Sequence, residues 1–217
     1  MDILITGTSK GIGRAVAIKF LNKGHRVYGM DVLASSIDCA DYIHIVADVR
    51  DVSSYPDIKP HIIVNNAGVQ DSGEDIDINL KGVISITEHY AFHNENIVSV
   101  VNIGSASAHT GSEFPEYAAS KGGLISYTKN LANRLAPKAI CNSIDPGGVL
   151  TELNKCVMED DALWNQIMEL TPLKRWATPE EIADWVYFVG VENRFMTGQN
   201  LLIDGGEAGN TKFIWPE

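Results

Sequence analysis

The sequence predicts an α/β protein: a doubly wound, mostly parallel seven-stranded sheet with helices on both faces. Three observations predict it. Apolar runs of strand length alternate with helical patterns along nearly the whole chain. A glycine-rich turn joins the first strand to the first helix. No repeat, low-complexity tract or linker divides the 217 residues, so residues 1–217 read as a single domain able to bury a sizeable core.

The strands are expected at 3–6, 26–30, 43–46, 61–64, 97–103, 139–144 and 200–203. Interleaving them with helices implies parallel pairing and cover on both faces of the sheet. A helix over 11–23 turns Ile12, Val16, Phe20 and Leu21 inward, and further helices are expected over 77–92, 116–135 and 179–189. Pro115 suits a first helical turn, where its missing N–H costs nothing, and Leu124, Ile125 and Leu131 continue the apolar stripe behind it. Only 12 residues run from Val49 to Pro60, and Pro56 and Pro60 restrict any helix there to a turn or two. The helix after strand 3 is therefore reduced, leaving part of one sheet face thinly covered or covered by a partner subunit.

At 45% hydrophobic and 21% charged, the composition is that of an ordinary soluble globular protein. A net charge of −11 argues against a nucleic-acid footprint. No apolar run is long enough for a bilayer, and the chain opens on a strand and a glycine turn instead of a signal peptide. The three cysteines, Cys39, Cys141 and Cys156, are widely spaced with no metal-ligand pattern, and read as reduced thiols of a cytoplasmic protein that binds no metal.

The stretch Tyr117-Ala118-Ala119-Ser120-Lys121 sets a phenol and an ammonium four residues apart, on one face of a helix. A tyrosine titrates near about 10, and reaching neutrality takes about 4 kcal/mol. One positive charge about 4 Å away at an effective dielectric of about 20 supplies that much. The pair therefore reads as a general acid/base. The same spacing also describes a solvated helix face, so the rest of the chain must decide.

In Thr6-Gly7-Thr8-Ser9-Lys10-Gly11-Ile12-Gly13 the glycines permit positive φ and close approach of a pyrophosphate, while the helix N-terminus attracts its charge. The spacing differs from the G-x-G-x-x-G fingerprint. Asp31 ends the second strand 18 residues beyond Gly13, near the separation of about 20 for an acid that accepts from ribose hydroxyls. A carboxylate there repels a 2′-phosphate and favours NAD over NADP. Lys10 pulls the other way. Asp48 closes the third strand, facing the adenine edge or serving as a plain turn residue.

These residues resemble the short-chain dehydrogenase/reductase family. Thr6–Gly13 is similar to its T-G-x-x-x-G-x-G turn, and Asn65-Asn66-Ala67-Gly68 to its N-N-A-G segment. Asn79-Leu80-Lys81-Gly82 resembles the helix segment that carries the family's asparagine, and Asn102-Ile103-Gly104-Ser105 places a serine 12 residues before Tyr117. Asp145-Pro146-Gly147-Gly148-Val149-Leu150-Thr151 resembles the P-G-x-x-x-T segment at the nicotinamide. Thr178-Pro179-Glu180-Glu181, Thr197-Gly198-Gln199 and Asp204-Gly205-Gly206 complete a match over essentially the whole chain.

The resemblance implies a Rossmann-type fold and a catalytic tetrad of Asn79, Ser105, Tyr117 and Lys121. Tyr117 would move a proton to or from the substrate oxygen, Ser105 would hold that oxygen, and Lys121 would bind the ribose and depress the tyrosine pKa. Asn79 would anchor a water in a proton relay. It further implies cofactor contacts from Gly7, Ser9, Lys10, Gly11, Ile12, Gly13, Asp31, Asp48, Val49, Asn65, Ala67, Gly68, Tyr117, Lys121, Pro146, Gly147, Val149 and Thr151. The expected reaction is hydride transfer between NAD(H) and a secondary alcohol or ketone, in a homodimer or homotetramer. Alternatives are an NADP(H)-dependent ketoreductase such as a 3-oxoacyl reductase, and a dinucleotide-binding sensor or scaffold without turnover. Longer epimerases and dehydratases need a substrate domain for which this chain has no room.

The chain departs from the family in three places. It is shortened between Asp48 and His61, and between Gly68 and Asn79, so the register of the helix bearing Asn79 is the least secure transfer. Asp145 stands before Pro146 where a small residue is usual, an acid suited to the oxidised, cationic ring. Residues 148–177 are expected to form the substrate lid, with Leu163, Ile167 and Leu170 packing it on the core. Met158 and Met168 leave room for a bulky apolar substrate. Glu152, Glu159, Asp160, Asp161 and Glu169, only partly offset by Lys155, Lys174 and Arg175, disfavour a highly anionic one. The tail over 211–217, with Phe213 and Trp215, either folds over a neighbouring site or frays.

Overall fold

The computed structural model describes residues 1–112 and 114–210, so the tail bearing Phe213 and Trp215 lies outside the described residues. Its centre is one seven-stranded sheet in the order β3-β2-β1-β4-β5-β6-β7. The strands are β1 (Asp2–Thr6), β2 (Arg26–Asp31), β3 (Tyr42–Val46), β4 (Ile62–Asn65), β5 (Ser99–Ile103), β6 (Ile140–Pro146) and β7 (Asn200–Ile203). Every pair is parallel. Strand order reverses between β1 and β4, and the crevice beyond the carboxyl ends of such strands is where open α/β sheets bind ligands.

Strand residues alternate between two cores. On one face Ile3, Ile5, Val64, Val101 and Ile144 meet α1 (Gly11–Asn22) and α7 (Pro179–Tyr187) through Val16, Phe20, Ile182 and Val186. On the other, Leu4, Ile63, Val100 and Cys141 meet α2 (Val83–Ala91) and α4 (Pro115–Leu135) through Ile86, Tyr90, Leu131 and Leu135. Helix α4 begins on Pro115, as the sequence predicts. Helix α7 is started by a capping box in which Thr178 and Glu181 satisfy each other's backbone N–H groups.

Between β3 and β4 only a 3₁₀ turn, Val52–Ser54, remains. Tyr55 and Ile58 pack there on the second core, Tyr55 stacked on Tyr90 at 5.8 Å, and substitute for the missing helix. Cover is thin at the sheet edge, where Val46 of β3 is 67% exposed. The helix expected over 77–92 begins as a π-helical turn, Asp77–Gly82, before α2. Helix α7 likewise runs on into a π-helical turn, Phe188–Glu192.

The expected lid holds α5 (Lys155–Met158) and α6 (Asp161–Leu170), the latter capped by the Asp160 carboxylate on Ala162 N and Leu163 N. The expected lid-to-core packing of Leu163 and Leu170 is not made: both lie exposed, Leu170 at 61%. Helix α6 instead leans on the body through Trp164, whose ring meets Trp176 edge-on at 5.0 Å. Among the described residues no helix is long and apolar enough to cross a membrane.

Candidate active site

The glycine turn between β1 and α1 is shaped by two different needs. Gly7 and Gly11 have φ of 76° and 56°, the left-handed region that favours glycine. Gly13 is helical, and a Cβ there would lie 2.1 Å from Gly7 O, so close approach demands it and not handedness. Asn66 Nδ2 donates to Thr6 O and Gly7 O at 3.0 and 3.1 Å, and Thr6 Oγ1 accepts from Asn66 N and Ala67 N at 3.0 Å each. The turn is thereby sewn to the end of β4. Lys10 offers α1 no side-chain cap and no acid lies in its first turn, which leaves the N–H donors around Gly11, Ile12 and Gly13 to an anion. Ser9 is buried and Lys10 exposed.

Asp31 at the end of β2 accepts from Ser9 N at 2.8 Å and Leu33 N at 2.9 Å, which locks the carboxylate beside the turn. Behind it Thr8 Oγ1, the Tyr42 hydroxyl and His44 Nδ1 form a hydrogen-bonded row at 2.7 and 2.9 Å. Asp48 is engaged by Arg50, with Nη2 donating at 2.6 Å and the backbone N–H at 2.9 Å; this guanidinium holds the carboxyl below its usual range. Its turn role is thus visible. Val49 is buried, and a Cβ on Gly82 would meet its side chain at 2.6 Å. Asn65 Nδ2 donates to Asn102 Oδ1 at 2.9 Å, and Asn102 Nδ2 to Thr128 Oγ1 at 2.9 Å, an amide row joining β4, β5 and α4. Ala67 and Gly68 follow at the strand end, Gly68 beside the Asn79 amide.

On α4 the Lys121 ammonium lies 5.7 Å from the centroid of the Tyr117 ring. Lys121 is only 5% exposed, and its Nζ donates to Ile103 O at 2.8 Å, which seats the amine two residues before Ser105. Burial pushes this lysine down to about 8, against the opposing charges of Asp145 and Asp75. Ser105 is buried, and its Oγ accepts from Ser107 N at 3.1 Å, the first turn of the short helix α3 (Ser107–Thr110). Asn79 is buried on the π-helical turn. Its amide exchanges bonds with Val69 N and O at 2.8 Å each, and Nδ2 also donates to Ser120 Oγ at 3.2 Å. Ser120 Oγ in turn donates to Tyr117 O at 2.7 Å. Asn79, Tyr117 and Lys121 therefore form one connected group despite the shortened approach over 69–78.

Pro146, which ends β6, and Val149 are buried, while Gly147 and Thr151 are half-buried. A Cβ on Gly147 would meet Asp204 at 2.7 Å, and one on Gly148 would strike the Trp176 indole at 2.0 Å. The Thr151 methyl approaches Gly11, so the start of the lid adjoins the phosphate-binding turn. Trp176 Nε1 is buried and makes no hydrogen bond among the described residues.

Sequence reasoning missed the linking roles of Asn66 and Ser120, and the partners of Asp145. That carboxylate is fully buried. His109 Nε2 donates to its Oδ2 at 2.6 Å and Ser143 Oγ to its Oδ1 at 2.7 Å. Burial raises the Asp145 carboxyl, while Ser143, His109 and the Lys121 charge oppose the rise. The oddity of an acid before Pro146 was a signal. The partner, 36 residues away, had none.

Comparison with known proteins agrees with this geometry. The family model described as enoyl-(acyl carrier protein) reductase matches residues 7–207. The 3-oxoacyl-(acyl-carrier-protein) reductase FabG of Thermotoga maritima is 31% identical, over 94% of this chain and 96% of its own length. The corresponding reductase of Buchnera aphidicola is 29% identical, over 93% and 95%. Among solved structures, 4-hydroxyisoleucine dehydrogenase complexed with NADH superposes with a TM-score of 0.89 at 27% identity, covering 97% of this chain and 99% of the other. A putative 2-deoxy-d-gluconate 3-dehydrogenase of Agrobacterium tumefaciens with bound NADP has a TM-score of 0.88 at 29% identity, covering 96% of each. With the glycine turn, the N-N-A-G segment and the Tyr117–Lys121 helix in place, the chain belongs to the short-chain dehydrogenase/reductase family of oxidoreductases.

Proposed function

We propose that the protein transfers a hydride between NAD(H) and a secondary alcohol or ketone, with Tyr117 as general acid/base. The observation that carries this reading is the Lys121 ammonium, buried and 5.7 Å from the Tyr117 ring. A charge held that close in a dry site favours the phenolate and so readies the phenol for proton transfer near neutral pH.

The residues fit a dinucleotide. The open N-terminus of α1, with the glycine cradle that a Cβ at 7 or 13 would fill, suits the pyrophosphate. Ser9, Lys10, Gly11 and Ile12 would border it, Asp31 would take the adenosine ribose, and Asp48 and Val49 would flank the adenine. Asn65, Ala67 and Gly68 would line the floor, Lys121 and Tyr117 the second ribose, and Pro146, Gly147, Val149 and Thr151 the nicotinamide. When bound, the nicotinamide supplies the hydride acceptor or donor. Ser105 would hold the substrate oxygen against the phenol, stabilising charge that develops on it. Asn79, through Ser120, would keep the turn of α4 that carries Tyr117 in place.

Asp31 supports NAD over NADP. The NADP-dependent ketoreductase reading is favoured by Lys10, exposed beside the turn. A sensor without turnover is disfavoured, because such a protein has no use for a buried lysine beside a phenol. Purified protein with NADH and a ketone panel should oxidise the cofactor, and Tyr117→Phe should abolish this without loss of cofactor binding. Tight binding with no turnover across the panel selects the sensor.

The same reading places the protein in the cytoplasm as a homodimer or homotetramer. The exposed Trp185 of α7, Phe188 of the π-helical turn after it, and Phe195 support an assembled state. A monomer by light scattering at micromolar concentration overturns it.

A further inference from the structure

We propose that Asp145 is a fixed negative charge of the nicotinamide site, held by His109 and Ser143, which favours binding of the oxidised cofactor over the reduced one. The inference rests on the dinucleotide reading above.

Position comes first. Asp145 stands just before Pro146, the residue that ends β6, and its side chain turns toward the end of β5. A Cβ on Gly104 would lie 2.0 Å from Asp145 Oδ1, so the carboxylate occupies the space of a missing side chain one residue before Ser105. The neighbouring Ile103 carbonyl holds the Lys121 amine, and the two charges act on each other. The acid therefore lies on the same side of the sheet as Ser105 and Lys121, at the end of the segment that would border the nicotinamide.

Its bonding comes second. Both oxygens accept: Oδ1 from Ser143, whose hydroxyl is itself held by Asn200 Nδ2 at 2.6 Å, and Oδ2 from His109. The fully buried carboxylate is thus held directly from β6 and α3, and through Ser143 from β7. Bracing α3 against β6 does not need a charge. A neutral amide would serve, because serine and imidazole can each exchange donor for acceptor. What the acid adds over an amide is its charge, in a site where a cation is formed or consumed. The oxidised nicotinamide ring is positive and the reduced ring neutral, so a nearby carboxylate lowers the free energy of the oxidised complex only. The ionisable groups that act on it are Lys121 from α4 and His109 from α3, and Asp75, from the segment before the π-helical turn, acts in turn on Lys121.

The test needs no knowledge of the substrate. Dissociation constants for the oxidised and reduced dinucleotide are measured by calorimetry on the native protein, Asp145→Asn, Asp145→Ser and His109→Gln. In the native protein the reduced form should bind no tighter than the oxidised form. Asp145→Asn and Asp145→Ser should each weaken the oxidised form relative to the reduced form by roughly tenfold. His109→Gln, which keeps a neutral donor on the carboxylate, should retain the native preference. A native protein that binds the reduced form more than tenfold tighter overturns the inference, whatever the variants do. So does an equal loss of affinity for both forms in the variants, which is the signature of bracing alone. Failure of the native protein to bind either dinucleotide overturns the cofactor reading itself.

Discussion

Asn79 Nδ2 donates to Ser120 Oγ at 3.2 Å, and this one hydrogen bond ties the π-helical turn to the helix carrying Tyr117 and Lys121. The same amide exchanges two further bonds with the backbone of Val69. Asn79→Ala removes all three from a buried position and leaves the Val69 N–H and carbonyl without that partner. The expected cost is about 2–4 kcal/mol of stability, since unsatisfied buried groups lose their full desolvation energy. Activity should fall further than stability explains, because the turn of α4 at Ser120 loses its tether. Urea unfolding, with turnover assayed well below the transition, separates the two. Unchanged stability would show that the amide contacts are dispensable.

The site was legible in the sequence where its residues are near neighbours, as in the glycine turn and the Tyr117–Lys121 pair. Strand positions were also legible, because buried parallel strands are short apolar runs bounded by turn residues. The π-helical turn at Asn79 was not, since one extra residue in a turn barely disturbs an apolar stripe. Within that turn Asn79 reaches Ser120 Oγ at 3.2 Å. The His109–Asp145 pair was invisible for a different reason. Only the adjacency of β5 and β6 brings its halves together, and no spacing rule connects residues so far apart. The lid misled because Leu163, Ile167 and Leu170 keep helical spacing, whereas Leu163 and Leu170 stay exposed and Ile167, like the neighbouring Trp164, is only half-buried.

Lys121 should leave a signature in the pH dependence of stability. Burial lowers it from the ordinary 10.5 to about 8 in the folded protein. Below pH 8 the lysine is protonated in both states, and the cost of burying its charge is present in full. Between about 8 and 10.5 the unfolded chain binds a proton that the folded chain has released, so stability rises with pH. The gap corresponds to about 3 kcal/mol. Lys121→Met keeps the stem and cannot titrate. The stability of native protein relative to this variant should therefore improve from pH 7 to pH 10, read by denaturant midpoints without cofactor. A flat difference would mean that the amine is better solvated than its position implies.

Gly13 tests the cradle. Any Cβ there lies 2.1 Å from Gly7 O and 2.3 Å from Asn66 Nδ2, both on the backbone-anchored turn. Neither neighbour can yield without breaking the bonds from Asn66 to Thr6 and Gly7. Gly13→Ala should cost about 1–3 kcal/mol, as overpacking of a tight site does. Dinucleotide affinity should drop by more than a hundredfold, because the pyrophosphate is the group this turn is shaped to receive. Thermal denaturation and calorimetric titration report the two effects separately. Native affinity in a folded Gly13→Ala protein would place the nucleotide elsewhere.

Asp31 and Lys10 carry opposite charges beside the glycine turn, and in the dinucleotide reading cofactor choice should follow their balance. The Asp31 carboxylate cannot swing away, because Ser9 N and Leu33 N hold its two oxygens. Lys10 is exposed and ends a long flexible stem, so its charge is strongly screened. A dianionic 2′-phosphate about 5 Å from the carboxylate, at an effective dielectric of about 60, is repelled by roughly 2 kcal/mol. That corresponds to about thirtyfold in a dissociation constant. Native protein should accordingly bind NAD(H) more tightly than NADP(H), and Asp31→Ser should narrow the gap by about that factor. Lys10→Ala should widen it by only a fewfold. The Asp31→Ser protein also loses the bonds to Ser9 and Leu33, so affinity for both cofactors falls and only their ratio reads the charge. Native preference for NADP(H) would show that the flexible cation outweighs the fixed anion, and would move the enzyme to the ketoreductase reading.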